Sequence, residues 1–104
     1  MKIGYARVSR ETQHLERQLD ALKDCERIYQ EKITGAGKVR PELERMLDTL
    51  REGDKVIVSD FTRLGRSTRD LMDIMQRIRD AGAEIVSLKE NFDTSSAIGR
   101  MMMN

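Results

Sequence analysis

Val56-Ile57-Val58 is a continuous apolar run between two amphipathic stretches, and it limits this chain to few folds. Three β-branched residues in a row suit a strand covered on both faces, as in a parallel sheet packed between helices. The flanks agree. Upstream, Pro41 stands at a first helical position, where its missing N–H costs nothing, and Leu43, Met46, Leu47 and Leu50 recur at helical spacing to about Glu52. Gly53 is the expected stop. Downstream, Ser67 and Asp70 fit a capping box, the serine to the N–H three residues on and the aspartate back to the cap. Leu71, Ile74, Met75 and Ile78 then stripe a helix that Gly82 ends.

The same alternation runs through the rest of the chain. Residues 3–8 read as a first buried strand, 27–32 as a second with Ile28 and Tyr29 as core candidates, and 84–88 as a further strand. Residues 13–25 have helical periodicity, with Thr12 as N-cap and Leu15, Leu19 and Leu22 as the apolar stripe. Residues 33–39 hold Gly35 and Gly37 and are expected to form a mobile surface loop. Residues 89–96 read as a polar loop, after which Ser95 or Ser96 caps a short last helix with Ile98, Met101, Met102 and Met103. Strands alternating with helices imply an α/β fold: a three-layer sandwich whose mostly parallel central sheet has about four or five strands joined by right-handed crossovers. A length of 104 residues fits one domain.

Composition narrows the chemistry. Charged residues make up 36% and hydrophobic ones 38%, a globular balance, and no apolar run approaches the roughly 20 residues of a membrane helix. The expectation is a cytoplasmic protein without a membrane partner. One cysteine, Cys25, and one histidine, His14, leave little material for disulfides, zinc sites or serine-histidine catalysis, so no metal is expected. Cys25 reads as a buried structural thiol at the end of the first helix. The net charge of +1 does not advertise a nucleic-acid binder by bulk electrostatics, so a phosphate site has to be local.

Such a site is legible. Arg7 and Ser9 share one face of the first strand, because side chains alternate, and Ser9 lies where that strand gives way to a helix. Ligands of open α/β sheets bind at such positions. Parallel connection brings Arg63 and Arg66, just beyond the Val56-Ile57-Val58 strand, to the same edge, and Arg40 enters its helix beside the flexible loop. Four guanidiniums around one hydroxyl repel one another unless an anion is expected between them, and a phosphodiester is the natural one. Ser9 reads either as an N-cap or as a nucleophile activated by the arginine field. A proton acceptor such as Asp54, Asp60 or Glu31 is the second route.

These residues are similar to those of a known family. Tyr5-Ala6-Arg7-Val8-Ser9, Gln13, Leu15-Glu16-Arg17-Gln18, Gly35 with Arg40, Gly53-Asp54, Arg63-Leu64-Gly65-Arg66-Ser67-Thr68 and Gly99 resemble, in order, the catalytic domain of the small serine recombinases, the resolvases and DNA invertases. The resemblance covers essentially all 104 residues. It implies a site-specific recombinase that cuts and rejoins DNA through a covalent 5′-phosphoserine intermediate, with no cofactor. By matching, Ser9 is the nucleophile and Arg7, Arg63 and Arg66 act beside it. Tyr5, Gln13, Gln18, Arg40 and Asp54 are supports, and Arg7, Arg40, Arg63, Arg66 and Arg69 face DNA phosphates. The implied partners are DNA and, in the full-length form, further copies as dimers and tetramers, in a nucleoid-associated location. The resemblance also implies that residues 1–104 end near the start of a long dimerisation helix, without a helix-turn-helix domain. A catalytically idle module that binds DNA backbone or co-assembles with a full-length recombinase is the alternative. Thr62 stands where the family commonly has aspartate, so that carboxylate is missing from its usual place.

Overall fold

The computed structural model describes residues 1–8, 12–32 and 40–94. Five strands, β1 (Lys2–Val8), β2 (Arg27–Lys32), β3 (Lys55–Val58), β4 (Glu84–Ser87) and β5 (Phe92–Asp93), form one sheet in the order β2-β1-β3-β4-β5. The first four run parallel and β5 is antiparallel to β4. Helices α1 (Thr12–Ala21), α2 (Pro41–Thr49), α3 (Phe61–Leu64) and α4 (Thr68–Asp80) connect them.

The strand order settles which face each helix covers. The chain steps from β1 outward to β2, then crosses back over β1 to β3 and on to β4. Right-handed crossovers in opposite directions put their helices on opposite faces. Accordingly, Ile3, Tyr5, Val56, Val58 and Ile85 join Leu43, Met46 and Leu47 of α2 and Ile74, Met75 and Ile78 of α4 in one buried cluster. On the other face Gly4 lies under α1, so close that a Cβ there would meet Leu22 and the Cys25 thiol at 3.2 Å. That face is covered less fully. Ile57 and Val86, partners in the β3–β4 register, are half-buried, whereas the apolar run of β3 leads one to expect burial on both sides.

Several boundaries differ from the sequence reading. Helix α1 stops at Ala21 rather than near Cys25, because the Leu22 and Cys25 N–H groups turn back to Gln18 and Leu22, which lets Glu26 donate to Lys2 and enter the sheet. Helix α2 ends at Thr49 rather than Glu52, since Leu50 is extended, and Gly53 serves the turn into β3 with φ of 90° instead of the helix cap. Within the expected polar loop, Phe92 and Asp93 pair with β4, and the Phe92 ring meets Phe61 edge-on at 5.2 Å. A two-residue strand has no periodicity to detect. The loop 33–39 and the last helix, with Gly99 and its Ser95 or Ser96 cap, lie outside the described residues. No helix among the described residues is long and apolar enough to cross a membrane.

Ile78 is fully buried where α4 meets the sheet. Ile78→Ala is expected to cost about 3 kcal/mol, as removal of a core isoleucine does. A urea titration followed by circular dichroism measures it, with an unchanged slope and a lower midpoint.

Candidate active site

The strand order also fixes where a ligand has to bind. Strand β1 lies between β2, its successor, and β3, so connections leave the carboxyl ends of β1 and β3 in opposite directions, and the crevice between them is the switch point of the sheet. Arg7 is at the end of β1, and residues 60–70 follow β3.

Arg7 is clamped at three points. The Gln18 side chain, almost wholly buried, accepts from the Arg7 N–H at 2.9 Å and donates to its C=O at 3.0 Å. The Arg7 guanidinium donates to the C=O of Thr62 in α3. Arg63 returns the contact, Nη1 donating to the Arg7 C=O at 3.3 Å. Below lies Tyr5, whose hydroxyl donates to Glu31 at 3.3 Å and whose phenol is pushed far up by burial and by the Glu31 charge. Glu31 is itself committed, accepting from the Leu43 N–H at 2.9 Å and the Glu42 N–H at 3.4 Å at the start of α2. It is a helix-capping anion rather than a proton acceptor at the arginines.

The guanidiniums gather. Burial lowers the Arg7 pKa, and the charges of Arg40, Arg63 and Arg66 lower it further, so these three lie within electrostatic reach of Arg7. Two of them carry counter-charges that the sequence reading had not paired with them. Arg40 donates to both oxygens of Asp70 at 2.9 and 2.7 Å and to the Leu64 C=O at 2.9 Å. Arg63 lies 3.6 Å from the Asp60 carboxylate. The capping box is also altered. Ser67 accepts from the Asp70 N–H as expected, but Asp70 reaches the Arg66 N–H at 2.8 Å, one residue before the cap. That bond joins Arg66 to the Arg40 ion pair and lets one carboxylate organise two arginines.

A groove of about 350 Å³ opens at this edge, lined by Arg7, Thr62, Gly65, Arg66, Ser67 and Thr68 over an apolar floor of Phe61 and Leu71. Ser67 and Thr68, the cap and first residue of α4, line it together with the arginines Arg7 and Arg66, so a helix amino end and two cationic side chains border one groove. Gly65 makes the groove possible. A Cβ at this position would lie 2.6 Å from the Leu71 Cβ and 2.7 Å from its Cα, so only glycine lets α3 approach α4 this closely.

Other expected site residues stand elsewhere. Asp54 accepts from the Arg51 N–H at 2.9 Å and pairs with the chain amino terminus at 3.4 Å, at the opposite end of β3 from the arginines. Arg69 is exposed on the first turn of α4. Cys25, expected as a buried structural thiol rather than a site residue, is half-buried beyond the end of α1, its thiol pushed up by burial. Ser9 and the Gln13 side chain lie outside the described residues.

A family model for the resolvase N-terminal domain matches residues 2–104. The chain belongs to that family. The resolvase of transposon Tn917 from Enterococcus faecalis is 42% identical over 102 residues, covering 96% of this chain and 55% of that protein. The resolvase domain thus spans about half the length of this curated relative. Among solved structures, the N-terminal catalytic domain of TP901-1 integrase superposes with a TM-score of 0.84 at 26% identity, over 99% of this chain and 89% of that one. A resolvase family site-specific recombinase from Streptococcus pneumoniae shares the fold, with a TM-score of 0.72 at 19% identity, over 99% of this chain and 80% of the other. The five-stranded, mostly parallel sheet is the architecture of these domains.

The Asp70 contacts make a prediction about acid. Burial would raise the Asp70 carboxyl, but the Arg66 N–H and the Arg40 guanidinium more than reverse this and hold it below the usual carboxylate range. A depressed folded pKa contributes stability that is complete above the unfolded value of about 3.9 and is lost as pH falls through the folded value. Asp70→Asn is therefore expected to flatten the acid limb of stability, lowering the urea midpoint at about pH 6 more than at about pH 3.

Proposed function

We propose that this domain performs site-specific DNA recombination, with Ser9 as the nucleophile. The Ser9 hydroxyl gives up its proton and attacks a DNA phosphodiester, a bond from the serine oxygen to phosphorus forms as the bond to the 3′ oxygen breaks, and that oxygen takes up a proton in exchange and leaves as a hydroxyl. The product is a 5′-phosphoserine link. Attack by a 3′ hydroxyl from another strand reverses the step, releases Ser9 and reseals DNA with no external energy source, since the phosphodiester energy stays in the covalent bond.

The observation that carries this reading is the groove at the switch point, where Arg7 and Arg66 flank the amino end of α4, two residues upstream of Ser9 in the case of Arg7. Guanidiniums bind phosphate oxygens and neutralise charge that develops in the transition state. Arg63 belongs to the same cluster through its bond to the Arg7 carbonyl. In this reading Gln18 and Tyr5 hold the strand that presents Arg7, and Gln13 sits near the serine. Arg40 and Arg69 face neighbouring phosphates. The family relationship points the same way, and its named relatives are a transposon resolvase and a site-specific recombinase. Exchange of strands calls for two cut duplexes held together, so DNA and further copies of the protein, as dimers pairing into tetramers, are the proposed partners, acting at the nucleoid.

The test is a covalent adduct. The protein is incubated with supercoiled plasmid carrying the DNA that borders its gene, quenched in detergent, and assayed for DNA that remains attached to protein. Ser9→Ala is expected to abolish the adduct, and Arg63→Ala or Arg66→Ala to lower its rate by about a hundredfold, the usual effect of losing one donor to a transition-state charge. An adduct of unchanged yield from Ser9→Ala would remove the serine from the mechanism.

A further inference from the structure

We propose that Asp60 is a positioning residue for the arginine cluster, its carboxylate holding Arg63 directly and Arg7 through Thr62. The proposal rests on the recombinase reading for what the arginines do, but its structural content stands apart from that reading.

Asp60 is the N-cap of α3. Its carboxylate accepts from the Thr62 N–H at 3.0 Å, from the Thr62 hydroxyl, and from the Ser59 hydroxyl at 3.3 Å. Thr62 is thereby gripped at both its backbone and its side chain, and the C=O of this residue accepts the Arg7 guanidinium. The second Asp60 oxygen, the one that accepts from Ser59, faces the Arg63 Nε at 3.6 Å, and that Nε is buried with no hydrogen-bond partner among the described residues. A buried N–H in this state is costly, so the carboxylate opposite it is the group that compensates. Closing the gap to a bond of about 2.9 Å takes a movement of less than one ångström, within the tightening that sites undergo on binding. Arg63 completes a ring by donating to the Arg7 C=O.

Four residues therefore close a circuit at the groove: Asp60 to Thr62, Thr62 to Arg7, Arg7 to Arg63, and Arg63 to Asp60. Burial would raise the Asp60 carboxyl, but the Thr62 bonds and the Arg63 charge outweigh it and keep the group below the usual carboxylate range. A carboxylate held there is a fixed negative charge and a poor proton acceptor, which separates this role from that of a general base. In this chain the position next to Arg63 is Thr62, with no carboxylate of its own, and Asp60 reaches over Thr62 from the cap.

Asp60→Asn separates charge from capping, because asparagine caps helices as well as aspartate does. The variant is expected to stay folded with a cooperative thermal transition at a lowered midpoint, since the counter-charge to Arg63 is lost while the cap is kept. It is expected to displace or broaden the Arg63 Nε–H resonance in a nitrogen-15 correlation spectrum, and to slow covalent adduct formation at least tenfold. Adding Thr62→Asp to Asp60→Asn, which returns a carboxylate to the same turn, is expected to recover much of both losses. An Arg63 resonance and an adduct rate identical to the parent in Asp60→Asn would overturn the proposal. If the unaltered protein forms no adduct, the recombinase reading falls, and the Arg63 resonance alone decides on Asp60: a shift supports it and no shift overturns it.

Discussion

Four guanidiniums at one edge of a parallel sheet repel one another, and the architecture around them is arranged to hold them there regardless. Gln18 pins the Arg7 backbone, the Thr62 carbonyl takes its guanidinium, and the carboxylates of Asp60 and Asp70 face Arg63 and Arg40. These contacts offset the repulsion only in part. The residue of positive charge is directed into a groove that also receives the amino end of α4. A site of this kind is built before its anion arrives, which suits a reaction whose charge develops on phosphate oxygens.

The fold supplies the rigidity this needs. Arg7 belongs to an inner strand, paired with β2 along Ile3–Val8 and with β3 along Lys2–Tyr5, and α3 and α4 follow from the carboxyl end of β3. Helix α2 is tied to the same edge from below, since Glu31 caps its first turn while accepting from Tyr5, and Arg40 at its start grips Asp70 in α4. The buried cluster of β1, β3, α2 and α4 is therefore continuous with the polar site. A disturbance of packing under the site is felt by the arginines through short chains of bonds.

Much of this was legible beforehand. The parallel α/β class followed from alternating strand and helix patterns, and the convergence of Arg7, Arg63 and Arg66 followed from parallel connection alone. The Ser67 cap and the role of Pro41 could be read from local chemistry. What escaped was either too short or too distant. Helix α3 has four residues and β5 two, less than any periodicity can reveal. Asp54 was matched on its sequence neighbourhood to the site, yet it lies at the amino end of β3, because a residue preceding a strand and residues following it are separated by the strand's full length.

The sequence by itself determined the order of elements, the strand that carries Arg7 and the edge at which the cationic residues collect, because side-chain alternation and right-handed crossovers leave few choices. Tertiary structure alone decided that Asp70 answers Arg40. Arg40 and Asp70 are thirty residues apart and meet only because α2 and α4 pack side by side on one face of the sheet. Glu31, open to other readings as a residue in a sequence, became a helix cap through Tyr5, Glu42 and Leu43, neighbours that local spacing does not encode, whereas Asp60 draws its partners Ser59, Thr62 and Arg63 from its own turn of chain.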